Sequence, residues 1–314
     1  MISKKRCAFL LIMTISVLFF LSMTESYSGP TIATIEYIYD GVGNITEKKV
    51  TYNPPNNASA RAEIIGTWSS GMWYYNLADS TWTKINSALP SGPIAAGDVT
   101  GDGKADVISC WSSGLWYQNI FTLGWTQVYT TAPSMVAAGD ITGDGRAEII
   151  GTWNSGIWYW NPVTSGWTKM YSSIPSDPIA AGDVTGDGRA DVVSCWPSGL
   201  WYQDGVTLGW TQVSNTTPDR VATGDITGDG RAEIIAVFST GIWHWNPVTL
   251  GWTKIWTNVP SGPITAGDVT GDGKADVISC WSSGLWYQNG VTLGWTQVYT
   301  TAPSKVAAGN ITGN

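Results

Sequence analysis

Asp98, Asp140, Asp183, Asp225 and Asp268 each open a near-copy of one segment, "DVTGDGKAD" or "DITGDGRAE", at intervals of 42, 43, 42 and 43 residues. Asn310 follows 42 residues later in the copy "NITGN". A fixed period of this length restricts the chain to repeats that stack or close, because each unit buries its apolar faces only against its neighbours. Two flavours alternate, "RAEIIGTWNSGIWYWNPVTSGWTKM" and "KADVISCWSSGLWYQNGVTLGWTQV". The larger unit is therefore a pair of 85 residues, present three times.

Each unit reads as four short strands. "PIAAGDV" is small and apolar, "ADVISCW" is rich in β-branched residues, and the turns "SSG" and "GVTLG" set off "LWYQN" and "GWTQVYT". Gly, Ser, Asn and Pro punctuate these runs as they do strands and hairpins. Four strands per unit at this spacing is the pattern of a propeller blade. The first unit starts abruptly at "RAEIIGTW", Arg61 to Trp68, without the strand that precedes it elsewhere. "KVAAGNITGN", Lys305 to Asn314, supplies that strand. Pairing the two closes a ring and removes both open sheet edges. The expected fold is all-β, a propeller of six four-stranded blades over residues 61–314. A fragment of a larger or oligomeric ring is the alternative.

Ahead of the repeats, Lys4, Lys5 and Arg6 precede an apolar run from Cys7 to Met23, with the small residues Ser26 and Ser28 after it. This is the pattern of a secretory signal peptide over residues 1–28. The run is short for a spanning helix, so a secreted chain without a membrane span after processing is expected; an uncleaved anchor is the alternative. Cys110, Cys195 and Cys280 then remain, 85 residues apart in equivalent apolar settings. An odd count reads as buried thiols rather than a disulfide framework. Residues 29–60 carry a hairpin pattern and a Pro/Asn linker. Their "YIYDGVGNITEKKVTY" resembles a single YD repeat of the RHS type, a unit that builds secreted shells in many copies.

The net charge of −8, with no basic cluster, disfavours nucleic acid as a partner. The single histidine, His244 in "IWHWNP", stands where the equivalent repeat has Tyr159. Outside the repeated loops the acidic residues Glu36, Asp40, Glu47, Asp79, Asp177, Asp204 and Asp219 are scattered rather than paired. No nucleophile elbow or zinc signature appears. The expectation is a binding protein, not an enzyme.

In "DVTGDGKAD" side-chain oxygens recur at loop positions 1, 3, 5 and 9, on Asp98, Thr100, Asp102 and Asp106, while Lys104 offers its carbonyl at position 7. Gly101 and Gly103 permit the tight turn. Hard oxygen donors on a flexible loop suit Ca²⁺. Clustered carboxylates would repel phosphate, and an EF-hand is excluded because no Glu stands at position 12. The alternative is an Asx-turn without metal.

The loops resemble FG-GAP and VCBS repeats, whose D-x-[DNT]-x-D-G-x-x-D segments hold Ca²⁺ in propeller blades. By that resemblance the second loop offers Asp140, Thr142, Asp144, the Arg146 carbonyl and Glu148. The third offers Asp183, Thr185, Asp187, Arg189 and Asp191, and the fourth Asp225, Thr227, Asp229, Arg231 and Glu233. The fifth offers Asp268, Thr270, Asp272, Lys274 and Asp276. About five structural ions are implied. Thr at position 3, where Asn or Asp is commoner in the family, implies weaker sites. Asn310 and Asn314 in the closing loop imply a weak or empty one.

The turn after the second strand places Trp111, Ser112 and Ser113 at the blade end opposite these loops, with Trp68, Trp153, Trp196 and Trp281 matching and Phe238 substituting once. With the "TTAPS" connections they are candidate walls of ligand clefts between blades. Trp73, Trp116, Trp158, Trp201, Trp243 and Trp286, in mid-strand, are expected in the core. Calcium loops within tandem Trp-rich blades resemble the fungal and bacterial propeller lectins related to FG-GAP repeats. That implies a multivalent glycan binder. A non-catalytic protein-binding scaffold with a cell-surface partner is the alternative, which the YD-like segment favours.

Overall fold

The computed structural model describes residues 32–39, 45–52 and 61–313. The signal-peptide segment and Asn314 lie outside the described residues. Two compact units divide the chain, Met1–Asn57 and Ala58–Asn314. In the first, strands Ile32–Tyr39 and Ile45–Tyr52 pair antiparallel.

The second unit is a propeller of six four-stranded sheets. Five blades run in chain order, and the sixth sheet joins Val306–Gly309 to Glu63–Trp68, Gly71–Asn76 and Thr81–Asn86. We number this composite sheet blade 1. Its closing ladder is antiparallel, with Val306 opposite Gly66 and Gly309 opposite Glu63. Ring closure therefore comes from the strand that the first repeat lacks.

Crowding at the axis explains the Ala-Gly composition of the innermost strands. A Cβ on Gly97 would stand 2.8 Å from the Ala147 Cβ and 2.9 Å from the Ala138 Cβ of the next blade. Gly309 meets Ala105 and Ala96 in the same way across the closure. Backbone hydrogen bonds also pass from blade to blade: Ala147 N–H donates to the Asp98 carbonyl at 2.7 Å and Ala62 N–H to that of Asp268 at 2.7 Å. At the closing junction, Ala105 N–H donates to the Asn310 carbonyl at 2.5 Å.

The core is divided among the junctions. Between blades 2 and 3, Val99, Ile108, Cys110 and Leu115 pack against Val136, Ile149 and Trp160. Between blades 6 and 1, Val269, Ile278, Cys280 and Leu285 meet Ile64 and Val306. Second strands such as Glu63–Trp68 are buried on both faces, so both parities carry large side chains and no alternation is visible there. Cys110 and Cys280 are free thiols buried in these junctions, and Cys195 is buried in the equivalent junction between blades 4 and 5. Burial pushes the Cys110 and Cys280 thiols up to about 12, which makes them small apolar fillers.

Candidate functional site

Two kinds of site lie at opposite ends of the blades. At one end are the Asp-Gly loops. The position-1 carboxylate is tied down by the backbone of its own loop: Asp98 Oδ1 accepts from Gly101 N–H at 2.7 Å, and Oδ2 accepts from Gly103 N–H at 2.8 Å. This geometry needs left-handed backbone at Gly101 (φ 74°) and Gly103 (φ 81°). Asp140, Asp183, Asp225 and Asp268 repeat it.

The position-9 carboxylate starts the second strand and is buried. Asp106, Asp191 and Asp276 are each 1% exposed or less. Burial pushes their carboxyls up to about 6, against opposing backbone hydrogen bonds such as that from Thr100 to Asp106. Burial likewise raises Glu148 and Glu233.

Among the described residues, one loop gathers three carboxylates. Oxygens of Asp140, Asp144 and Glu148 all lie within 4.8 Å of one another. That donor set fits a hard divalent cation. In that loop Thr142 Oγ1 donates to Glu148 at 2.8 Å, and Thr227 Oγ1 donates to Glu233 at 2.9 Å in the fourth loop. In the loops ending in Asp102 and Asp106 or in Asp272 and Asp276, the position-5 group is engaged elsewhere. Asn119 Nδ2 donates to Asp102 Oδ2 at 2.9 Å, and Asn289 Nδ2 to Asp272 Oδ2 at 2.9 Å. The closing loop is completed across the ring: Glu63 accepts from Ile311 N–H at 2.7 Å and from Thr312 Oγ1 at 2.6 Å.

Position 7 has a second role that the spacing did not disclose. A Cβ on Gly101 would stand 2.5 Å from Arg146 Nε, so each position-7 side chain lies over the position-4 glycine of the preceding loop. Arg189 covers Gly143, Arg231 covers Gly186, Lys274 covers Gly228, Arg61 covers Gly271 and Lys104 covers Gly313. The only sequence signal was the coincidence of a cation and a glycine at fixed places in every loop.

At the opposite end, aromatic side chains meet at the blade junctions. Trp153 contacts Trp167 edge-to-face at 5.1 Å and Tyr129 of the preceding blade at 5.5 Å. With Thr131, Ala132, Pro133 and Ser134 of the connection, and Asn154, Ser155 and Trp158, they line a cleft of about 630 Å³. At the closure Trp68, Trp82 and Tyr299 repeat the cluster, with edge contacts at 5.1 and 5.7 Å. Ser69, Ser70, Trp73 and Thr301 complete a cleft of about 360 Å³ there.

Trp111, Trp196 and Trp281 also form edge-to-face pairs, with Trp125, Trp210 and Trp295. Their indoles are held differently, by Ser109, Ser194 and Ser279 within the same strand. Ser112 and Ser113 are exposed. Ser113 Oγ accepts from Trp116 Nε1 at 3.1 Å, which makes it a support for that ring.

The mid-strand tryptophans are not in the core. Trp73, Trp116, Trp158, Trp201, Trp243 and Trp286 are only half-buried. They face the flank of the fourth strand, and Lys84, Lys169 and Lys254 lie over Trp73, Trp158 and Trp243 at 5.0, 5.3 and 4.7 Å. The fully enclosed positions go to aliphatic side chains such as Ile150 and Ile235. His244 lies on the third strand of blade 5, opposite Thr253. Its Nδ1 is buried without a hydrogen-bond partner, and burial lowers its pKa.

No sequence-family model matches the chain, and no curated protein matches it in sequence. Solved structures do match in fold. A lectin from Agrocybe aegerita, described as specifically recognising non-reducing terminal N-acetylglucosamine, aligns with TM-score 0.51 at 18% identity, over 80% of this chain and 76% of that one. TolB from Acinetobacter baumannii aligns with TM-score 0.58 at 11% identity, over 88% and 80%. A chain of a nidogen/laminin complex aligns with TM-score 0.57 at 10% identity, over 79% and 98%. At these identities the likeness is one of fold.

Proposed function

We propose that this chain is a secreted, multivalent carbohydrate-binding propeller whose loops hold structural Ca²⁺. The observation that carries the reading is the Trp153 cleft, where aromatic faces stand beside the Asn154 amide and the Thr131, Ser134 and Ser155 hydroxyls. A sugar ring needs that combination: an apolar surface for its C–H face and a few polar groups to orient its hydroxyls. A second cleft of the same build at Trp68 supports multivalency, and weak sites gain through avidity on a glycan-coated surface. The Agrocybe aegerita lectin of the same fold suggests N-acetylglucosamine as the first sugar to try.

The ions' part is structural. Asp140, Thr142, Asp144, the Arg146 carbonyl and Glu148 would hold one ion, and the equivalent residues of the other four loops would hold further ions. Each would supply positive charge to neutralise carboxylates that the fold buries at the blade ends.

Chitin and agarose columns, eluted with free N-acetylglucosamine or galactose, test the reading. Retention on one matrix and release by its own sugar is expected. Trp153→Ala is expected to weaken retention about tenfold, near 1.4 kcal/mol, with a modest fall in melting temperature and a retained cooperative melt, because the half-buried ring also packs on Trp167 and Tyr129. A folded protein that ignores both matrices would favour the protein-binding scaffold instead.

A further inference from the structure

The aromatic junctions look equivalent by sequence, yet the indoles adopt two arrangements. Two residues before Trp153 stands Gly151, and a Cβ there would lie 2.5 Å from the Trp153 ring carbons. The ring therefore lies back along its own strand over the bare glycine. Its Nε1 donates to the Thr131 carbonyl of the inter-blade connection at 3.1 Å. Trp68 does the same over Gly66 and donates to the Thr301 carbonyl at 2.9 Å.

In blades 2, 4 and 6 the same register carries Ser109, Ser194 and Ser279. Each serine hydroxyl accepts its own indole N–H, at 2.7, 2.8 and 2.6 Å. The polar edge of the indole is then spent inside the strand, and the ring cannot lie over the serine. Blade 5 carries Ala236 in that register, and its aromatic is Phe238.

We propose that the glycine two residues before the tryptophan selects which junctions bind sugar, so that the ring carries two sites, at Trp153 and Trp68. This rests on the carbohydrate reading given above. The two sites share the connection sequence Thr-Ala-Pro-Ser, at 131–134 and 301–304, but differ at Asn154 and Ser69. The amide of Asn154 both donates and accepts hydrogen bonds, which suits an N-acyl or hydroxyl substituent on the sugar. The Trp153 site is therefore the tighter of the two, and they stand two blades apart in the ring.

Calorimetric titration of the calcium-loaded protein with methyl glycosides of N-acetylglucosamine and galactose tests this directly. Two unequal sites per chain are expected for the glycoside that binds. Gly151→Ala and Gly66→Ala should each remove one site, and the double variant both. Both substitutions should leave the fold intact, because Ser109, Ser194 and Ser279 already place a Cβ in that register two residues before a tryptophan. Asn154→Ser, at an exposed position, should make the two sites alike while leaving the count at two. Five or six equal sites, or a count unchanged by the glycine variants, would overturn the inference while leaving carbohydrate binding standing. Absence of binding by the parent protein to either glycoside or either matrix would remove both.

Discussion

Removal of residues 305–314 is expected to abolish cooperative folding of the propeller. The excised segment carries the innermost strand of blade 1, Val306–Gly309, and half of the closing loop. Val306 and Ile311 are 8% and 2% exposed. Their burial alone amounts to about 3–6 kcal/mol, on the scale of the roughly 5–15 kcal/mol that holds a whole domain. Glu63, 1% exposed, would lose the Ile311 and Thr312 donors and keep only Asn76 Nδ2 at 3.2 Å, so its carboxylate would be under-satisfied. The strand Glu63–Trp68 would become an open edge. Tryptophan fluorescence during a thermal melt reads the outcome. A broad, low-temperature transition with aggregation is expected; a sharp melt within a few degrees of the parent would show that the ring does not depend on its closure.

Calcium is expected to have the second large effect. Position-9 carboxylates are buried at every intact loop, and burial opposes their charged form. A bound cation favours that form and stabilises the native state by mass action. One site at a hundredfold excess over its dissociation constant contributes about 2.7 kcal/mol. Two such sites would raise the melting temperature by about 10–20 °C for a domain of this size. EDTA should reverse the shift, and Asp140→Asn should reduce it by removing charge from the tightest acidic cluster. A melting temperature indifferent to calcium would mean that the loops stand on the hydrogen bonds of Asp98 and its equivalents alone.

Much of the ring was legible because its determinants are periodic. The interval between Asp98, Asp140, Asp183, Asp225 and Asp268 fixes the blade, and the strand missing before Arg61 but present after Lys305 locates the closure. The Ala-Gly innermost strands follow from crowding at an axis that six strands share. What periodicity does not carry is the direction of a side chain. Trp73, Trp158 and Trp243 sit mid-strand, yet they are half-buried and lie under Lys84, Lys169 and Lys254. The contrast between Gly151 and Ser109 was present in the sequence. Its consequence appears only once the indole of Trp153 is seen lying over the glycine and that of Trp111 is seen bonded to the serine. In the loops, the spacing of Asp140, Asp144 and Glu148 was visible, but not that this loop would bring three carboxylates within 4.8 Å of one another. Nor did the spacing show that Asn119 and Asn289 would engage Asp102 and Asp272.

A glycan-array screen of the protein, run with calcium and again with EDTA, tests most directly whether calcium-stabilised blades present sugar-binding clefts. Selective binding to a narrow set of terminal sugars is expected, lost in EDTA together with the cooperative melt and weakened by Trp153→Ala. A blank array from a folded, calcium-loaded protein would contradict carbohydrate binding and assign these clefts to contacts with another protein.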